Sequence, residues 1–189
     1  VIRAKDLIFN YGRQGENPCQ IVLDFHSTTA AMGSSLVIYG RRPTDLALAA
    51  LIQHRLGIPI YLHEAENLQT GFLVESWPCG LVVEIGPVPQ GVLHQKIINQ
   101  TKLILEISLE EIAKVNNKTS IFPRKLIIHR HLESLDFPRD INNYPNAIIH
   151  SDVQDNDWKP LSKEQPLFID ANSKVVNQFA SDDCLVPVF

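Results

Sequence analysis

Apolar residues in the first half of the chain come in short runs bounded by Gly, Pro and Asn, which predicts buried strands alternating with helices. The run QIVLDF from Gln20 to Phe25 reads as a strand ending at His26, and SLVIYG follows as a second. Pro43-Thr44-Asp45 then opens LALAALIQHRLG, a buried helix that Gly57 closes. IPIYLH is a third strand. GLVVEIG is a fourth, apolar on both faces apart from Glu84 and followed by the turn residues Pro87, Pro89 and Gly91. From Gln90 to Asn116 the positions Leu93, Ile97, Leu105, Leu109 and Ile112 suit one face of a long helix, with Thr101 filling the gap. Strands apolar on both faces and alternating with helices define an α/β layer, with a mixed or largely parallel sheet and flanking helices.

The texture changes near Asn116. NNKTSIFP is polar and then proline-bearing, and RKLIIHRHL, NAIIH, QPLFID, KVVNQF and CLVPVF follow as short strand candidates at close intervals. These features divide the chain near Lys118 into a partial α/β domain, 1–118, and a smaller β-rich domain, 119–189. The first residue is Val, and a helical pattern is already under way from Ala4 to Phe9, so a longer parent protein is expected. A sheet lacking its first strands would leave edges open, which predicts that the isolated chain aggregates.

Composition narrows the class of function. With 189 residues and 44% hydrophobic content the chain can bury a core. Its 17 basic and 21 acidic residues are scattered, for a net charge of −4, and form no basic face for nucleic acid or anionic lipid. No apolar stretch reaches the roughly 20 residues of a membrane span and the start carries no signal-peptide pattern, so a cytoplasmic location is expected. Cys19, Cys79 and Cys184 fit neither a disulfide framework nor a metal knuckle and read as reduced thiols. The N-x-T matches at Asn99 and Asn117 read as chance.

Two ionisable residues, His26 and Glu84, stand at or near the C-terminal ends of apolar strands, each followed by a turn. That edge is where open α/β sheets bind ligands. A carboxylate in an apolar strand needs a partner, a hydrogen bond or a proton, so Glu84 is either functional or half of a structural ion pair. His26 is either functional or a satisfied core histidine. Asp24, two residues before His26, shares its side of the strand and is placed either to orient the imidazole or simply to make a polar strand end.

These residues sit in longer patterns. DFHSTTAAMG, Asp24 to Gly33, resembles the DLHNTTxxMG segment of the aspartoacylase and aminoacylase-3 family, and VEIGPVPQGVL, Val83 to Leu93, resembles its VEVGPQPQGVL. YPNAIIHSDVQDNDWKPLSKEQPLF, Tyr144 to Phe168, and the closing CLVPVF resemble later family segments in the same order. The resemblance implies a zinc carboxypeptidase-like fold, with the β-rich domain over an active site that hydrolyses N-acyl amino acids to a carboxylate and a free amino acid. By position it implies that His26 is a ligand of one zinc per site and that Glu84 is general base and then acid. The partner it implies is a small N-acyl amino acid, and a homo-oligomer is compatible with it.

The departures are equally specific. The family's other two zinc ligands, an N-terminal His-x-x-Glu, would lie upstream of Val1, as would its Arg and Asn-Arg substrate clamps. The loop Leu68 to Trp77 holds no Arg to match the one that precedes the family's glutamate, so the substrate-binding residues stay unassigned. His63 and Glu66 form an H-x-x-E without a Gly-rich turn, a weak candidate for a substitute metal site. His129 and His131 form an H-x-H in the β-rich part, where a structural or surface role is expected. His150 and Trp158 read as packing and hydrogen-bonding residues, and His54 and His94 suggest nothing. Two alternatives remain beside N-acetyl-aspartate-type hydrolysis: a truncated, non-catalytic remnant or binding module, and succinylglutamate desuccinylase-like activity.

Overall fold

The computed structural model describes residues 2–64, 71–162, 164–178 and 185–188. Helix α1 spans Ile2–Tyr11, followed by β1 (Ile21–Ser27), β2 (Ser35–Tyr39), α2 (Pro43–Leu56) and β3 (Ile60–His63). A 3-10 turn, Leu73–Ser76, leads into β4 (Cys79–Ile85) and α3 (Gln95–Asn116). The remaining strands are β5 (His129–Arg130), β6 (Ala147–Ile149), β7 (Pro166–Asp170) and β8 (Val175–Gln178).

Five strands form one mixed sheet in the order β1-β4-β2-β3-β5. All neighbours run parallel except β2 and β4. A separate antiparallel sheet contains β6, β7 and β8. The expected architecture, a mixed α/β sheet with flanking helices and a smaller β-rich part, is the one observed.

The strands alternate strictly, and that alternation divides the chemistry of the large sheet. Leu36, Ile38, Ile60, Leu62, Leu81, Val83 and Ile85 pack with Leu48, Ile52 and Ile104 of α2 and α3 into the main core. The intervening positions face the other way, where Val37, Val74 and Val82 make a thin apolar layer joined by Val22, Tyr39 and Tyr61. On this second face period-two alternation also places Asp24, His26 and Glu84.

Helix α2 is fixed at both ends. Pro43 takes its first turn, where a missing N–H costs nothing, and Gly57 closes it with φ of 67° and a 2.7 Å hydrogen bond from its N–H to the carbonyl of Gln53. Asp45 in the first turn is fully buried. It accepts hydrogen bonds from Arg42 Nε at 2.6 Å and from the Gly80 N–H of β4 at 3.0 Å, which ties the helix start to the sheet. Gly80 itself has no room for a side chain, since a Cβ would lie 2.8 Å from that of Val74.

Helix α3 departs from expectation at its start and in its inward face. It begins at Gln95, and Leu93 before it is 89% exposed. The buried positions are Ile104, Ile107, Ser108 and Glu111, whereas Leu105 and Leu109 are exposed. Polar residues occupy the inward line because each is satisfied locally. Ser108 donates to the Ile104 carbonyl at 2.7 Å, and Glu111 accepts from Arg55 and Lys114, both at 2.7 Å.

The segment RKLIIHRHL also departs from expectation: its strand β5 pairs with Tyr61 and Leu62 of β3 in the large sheet, not with the small one. The small sheet takes its strands from NAIIH, QPLFID and KVVNQF as expected and packs around Val153, Leu167 and Phe168. Of the closing CLVPVF, Cys184 and Phe189 lie outside the described residues. Leu185 to Val188 forms no strand but runs beside the chain at Trp158 and Leu161, whose N–H groups donate to the carbonyls of Pro187 and Leu185.

Candidate functional site

Strands β1 and β4 pair in a register that sets His26 directly beside Glu84. Both strands run in the same direction, so the two side chains emerge together at the C-terminal ends, as strand order and position predict. His26 Nε2 lies 3.0 Å from Asp24 Oδ2, and its Nδ1 lies 3.8 Å from Glu84 Oε1. The three residues expected from sequence therefore meet at one point.

The environment separates several of the readings left open above. The His26 side chain is 50% exposed and so is no core histidine. The Glu84 side chain is only 20% exposed, and among the described residues its ion-pair contact is His26, not a Lys or Arg. Burial pushes the Glu84 carboxyl above the usual carboxylate range; the His26 imidazole works against that rise and the Asp24 charge adds to it.

His26 and Glu84 open on a cavity of about 1250 Å³ that extends to the small sheet, where Leu167 and Phe168 line it. The alternation that brings Glu84 to this face also brings a wall of rings. Tyr39 stacks on Phe72 with centroids 3.8 Å apart, His63 meets the edge of Phe72 at 5.5 Å, and His63 stacks on His131 at 5.1 Å. Burial, together with the charges of Glu84 and Asp24, pushes the Tyr39 phenol up to about 12, which keeps it protonated at neutral pH.

Sequence reasoning missed this wall. His129 and His131 were expected in a structural or surface role within the β-rich part; His129 on β5 and His131 just after it both line the cavity, and His131 is buried. The usable signal was the H-x-H spacing itself, which sets both rings on one side of a strand, as His63 and Tyr61 are on β3. His63 lies in the cavity, and Glu66, its partner in the H-x-x-E pattern, lies outside the described residues. His150 turns to its own backbone, its Nδ1 accepting from the Asp152 N–H at 3.2 Å.

Among the described residues no group of three or more His, Cys, Asp or Glu side chains is arranged to hold a metal ion. His26 fits one position of such a ligand set, because Asp24 engages Nε2 and leaves Nδ1 as the second ring nitrogen. Among the described residues no helix is long and apolar enough to cross a membrane.

The fold sets a mixed α/β sheet with flanking helices beside a small antiparallel sheet, and residues of both line the cavity. Residues 1–112 match the succinylglutamate desuccinylase/aspartoacylase catalytic domain, and residues 124–189 match the AstE/AspA barrel-sandwich hybrid domain. The chain belongs to this succinylglutamate desuccinylase/aspartoacylase family. It is 54% identical over 189 residues to a probable aspartoacylase of Prochlorococcus marinus strain SARG, covering 99% of this chain and 62% of that protein. A probable aspartoacylase of Prochlorococcus marinus strain NATL1A is 57% identical over 187 residues, covering 99% of this chain and 61% of its own length. The crystal structure of murine aminoacylase 3 superimposes with a TM-score of 0.80 at 25% identity, covering 99% of this chain and 62% of that one. The chain thus spans less than two thirds of the relatives it matches.

Proposed function

We propose that the complete protein hydrolyses the amide bond of N-acyl amino acids of the N-acetyl-aspartate type, giving a carboxylate and a free amino acid, with one zinc ion at the site. The observation that carries this reading is the pairing of His26 with Glu84 at the ends of two parallel strands, beside a cavity large enough for a small molecule. Family membership and the probable aspartoacylase relatives support the reaction class.

In this reading His26 is one zinc ligand through Nδ1, and Asp24 holds the ring in place through Nε2. The other two ligands of this reading belong to the part of the relatives' length that this chain does not span. When bound, zinc supplies Lewis acidity toward the scissile carbonyl and toward water. Glu84 takes a proton from the attacking water at a carboxylate oxygen and returns it to the leaving amine nitrogen. Its partial burial suits this role, because a carboxyl with a raised pKa both accepts and returns a proton more readily near neutral pH. The rings of Tyr39, Phe72 and His131 line the same cavity.

The test uses the complete protein, with release of free amino acid from N-acetyl-aspartate as the readout. Glu84→Gln should abolish turnover while zinc stays bound, and retained activity would overturn the role. His26→Ala should lose the metal, so full zinc occupancy in that variant would remove His26 from the ligand set. Turnover by the wild type would also dispose of a non-catalytic remnant or binding module. A second reading, succinylglutamate desuccinylase-like activity, is favoured by the family description, which spans both reactions. The ratio of kcat/KM on acetylated and succinylated substrates separates the two.

A further inference from the structure

Three separate walls of the cavity meet at one tryptophan, two at its indole and one at its backbone. Trp158 Nε1 donates a 2.7 Å hydrogen bond to the carbonyl of Met32, in the loop that follows His26. The ring lies 5.0 Å from that of His129 on β5. The Trp158 backbone N–H donates to the Pro187 carbonyl at 3.1 Å, fixing the closing segment Leu185 to Val188. Met32, His129 and Pro187 all line the cavity.

The loop after His26 is fastened at its other end as well. The Thr28 N–H donates to the Ile85 carbonyl at 3.1 Å, and the Thr28 carbonyl accepts from the Val88 N–H at 2.9 Å. Thr28 is therefore tied to the strand that bears Glu84, and Met32 is tied across to the second part of the molecule. Only the Trp158 indole supplies a side-chain hydrogen bond to that distal end among the described residues.

Trp158 also adopts a backbone conformation that costs energy. Its φ is 63°, in the left-handed region that bulky residues avoid. A strained tryptophan persists where the surrounding contacts over-determine it. Here those contacts are the Met32 carbonyl, the His129 ring and the Pro187 carbonyl.

We propose that Trp158 is the positioning residue that holds the Thr28 to Met32 loop, β5 and the Leu185 to Val188 segment together as the substrate-facing wall of the cavity. It touches no reacting atom. It acts through Met32, by holding the loop beside His26 in the one arrangement that leaves room for the substrate. This inference rests on the amidohydrolase reading for its kinetic consequence and on geometry alone for its structural one.

The test compares Trp158→Phe, which keeps a ring against His129 but removes the N–H donor, with wild type in the complete protein. The expected result is a rise in KM of roughly tenfold, with kcat within about twofold, as for the loss of one hydrogen bond worth about 1.4 kcal/mol. Zinc content should be unchanged, the melting temperature should fall by no more than about 2–4 °C, and hydrogen exchange should quicken at residues 28–33 but not along β4. Unchanged KM and exchange would overturn the proposal, and so would a lower melting temperature with unchanged kinetics, which marks a contact serving stability alone. If the wild type hydrolyses no acyl amino acid, the amidohydrolase reading fails by itself. Exchange at residues 28–33 then decides the role of Trp158.

Discussion

Asp45 lies under the strand that carries Glu84, and replacing it tests how far the sheet depends on one buried carboxylate. Its two oxygens divide their work: Oδ2 takes Arg42 Nε at 2.6 Å, and Oδ1 takes the Gly80 N–H at 3.0 Å. Asp45→Asn keeps the shape and an acceptor for Gly80 but removes the charge opposite Arg42. Breaking a buried pair by removing one partner costs about 3–5 kcal/mol. The lower end applies here, because the Arg42 side chain stays 29% exposed and keeps its 2.7 Å bond to the Trp77 carbonyl. Asp45→Ala should cost more, since the buried Gly80 N–H then lacks its acceptor, a further penalty of about 1–3 kcal/mol. Urea unfolding of the complete protein, followed by the fluorescence of buried Trp77, measures both. Arg42→Ala combined with Asp45→Ala should cost less than the sum of the single changes, with a coupling of about 1–3 kcal/mol. A loss under about 1 kcal/mol for Asp45→Asn, or strict additivity in the cycle, would refute the idea that the pair acts as a unit.

Other perturbations probe different parts of the molecule. Gly86→Ala would bring a Cβ against the Thr28 carbonyl and within 2.7 Å of its Cγ2, so β4 and the loop after His26 must part. A stability loss of roughly 1–3 kcal/mol is expected with a larger fall in turnover, and an unaffected enzyme would count against that close approach. Burial pushes the Cys79 thiol up to about 12, so it stays neutral at pH 8 and should resist alkylation in the native protein, whereas exposed Cys19 should react. Peptide mapping after brief treatment with iodoacetamide reads both, and equal labelling would contradict the burial. Lys114 and then Arg55 hold the Glu111 carboxyl below its ordinary value of 4.5, against the opposing effect of burial. A depressed folded pKa gives stability that is present above the unfolded value and lost as pH falls through the folded one. Glu111→Gln should therefore flatten the fall in melting temperature below about pH 4.5, and an unchanged slope would dismiss the linkage.

The strands β1 to β4 and helix α2 were legible because each is an apolar run with Gly or Pro punctuation. Position and alternation singled out His26, Asp24 and Glu84 as candidates, and only the family resemblance assigned them roles. The inward face of α3 was not, because counting apolar residues favours Leu105 and Leu109 over Ser108 and Glu111, whose polar groups are satisfied by the Ile104 carbonyl, Arg55 and Lys114. Strand β5 was misassigned because its two residues gain their place only by pairing with Tyr61 and Leu62, far back in the chain. The ring wall and the bond from Trp158 to Met32 arise from the same kind of long-range assembly; the H-x-H spacing hints at a shared side for His129 and His131 but not at what they face.

The alternation of the large sheet implies a two-residue rhythm in how the protein tolerates change. Along β4, substitutions at Leu81, Val83 and Ile85 meet the helices and should be filtered by foldability, whereas those at Val82 and Glu84 meet the cavity side. The same beat runs through β2 and β3, where Leu36, Ile38, Ile60 and Leu62 alternate with Val37, Tyr39, Tyr61 and His63. Apart from Glu84, change on the cavity phase of each strand alters what the cavity presents, while the other phase preserves the scaffold. The two selective pressures seldom fall on the same residue.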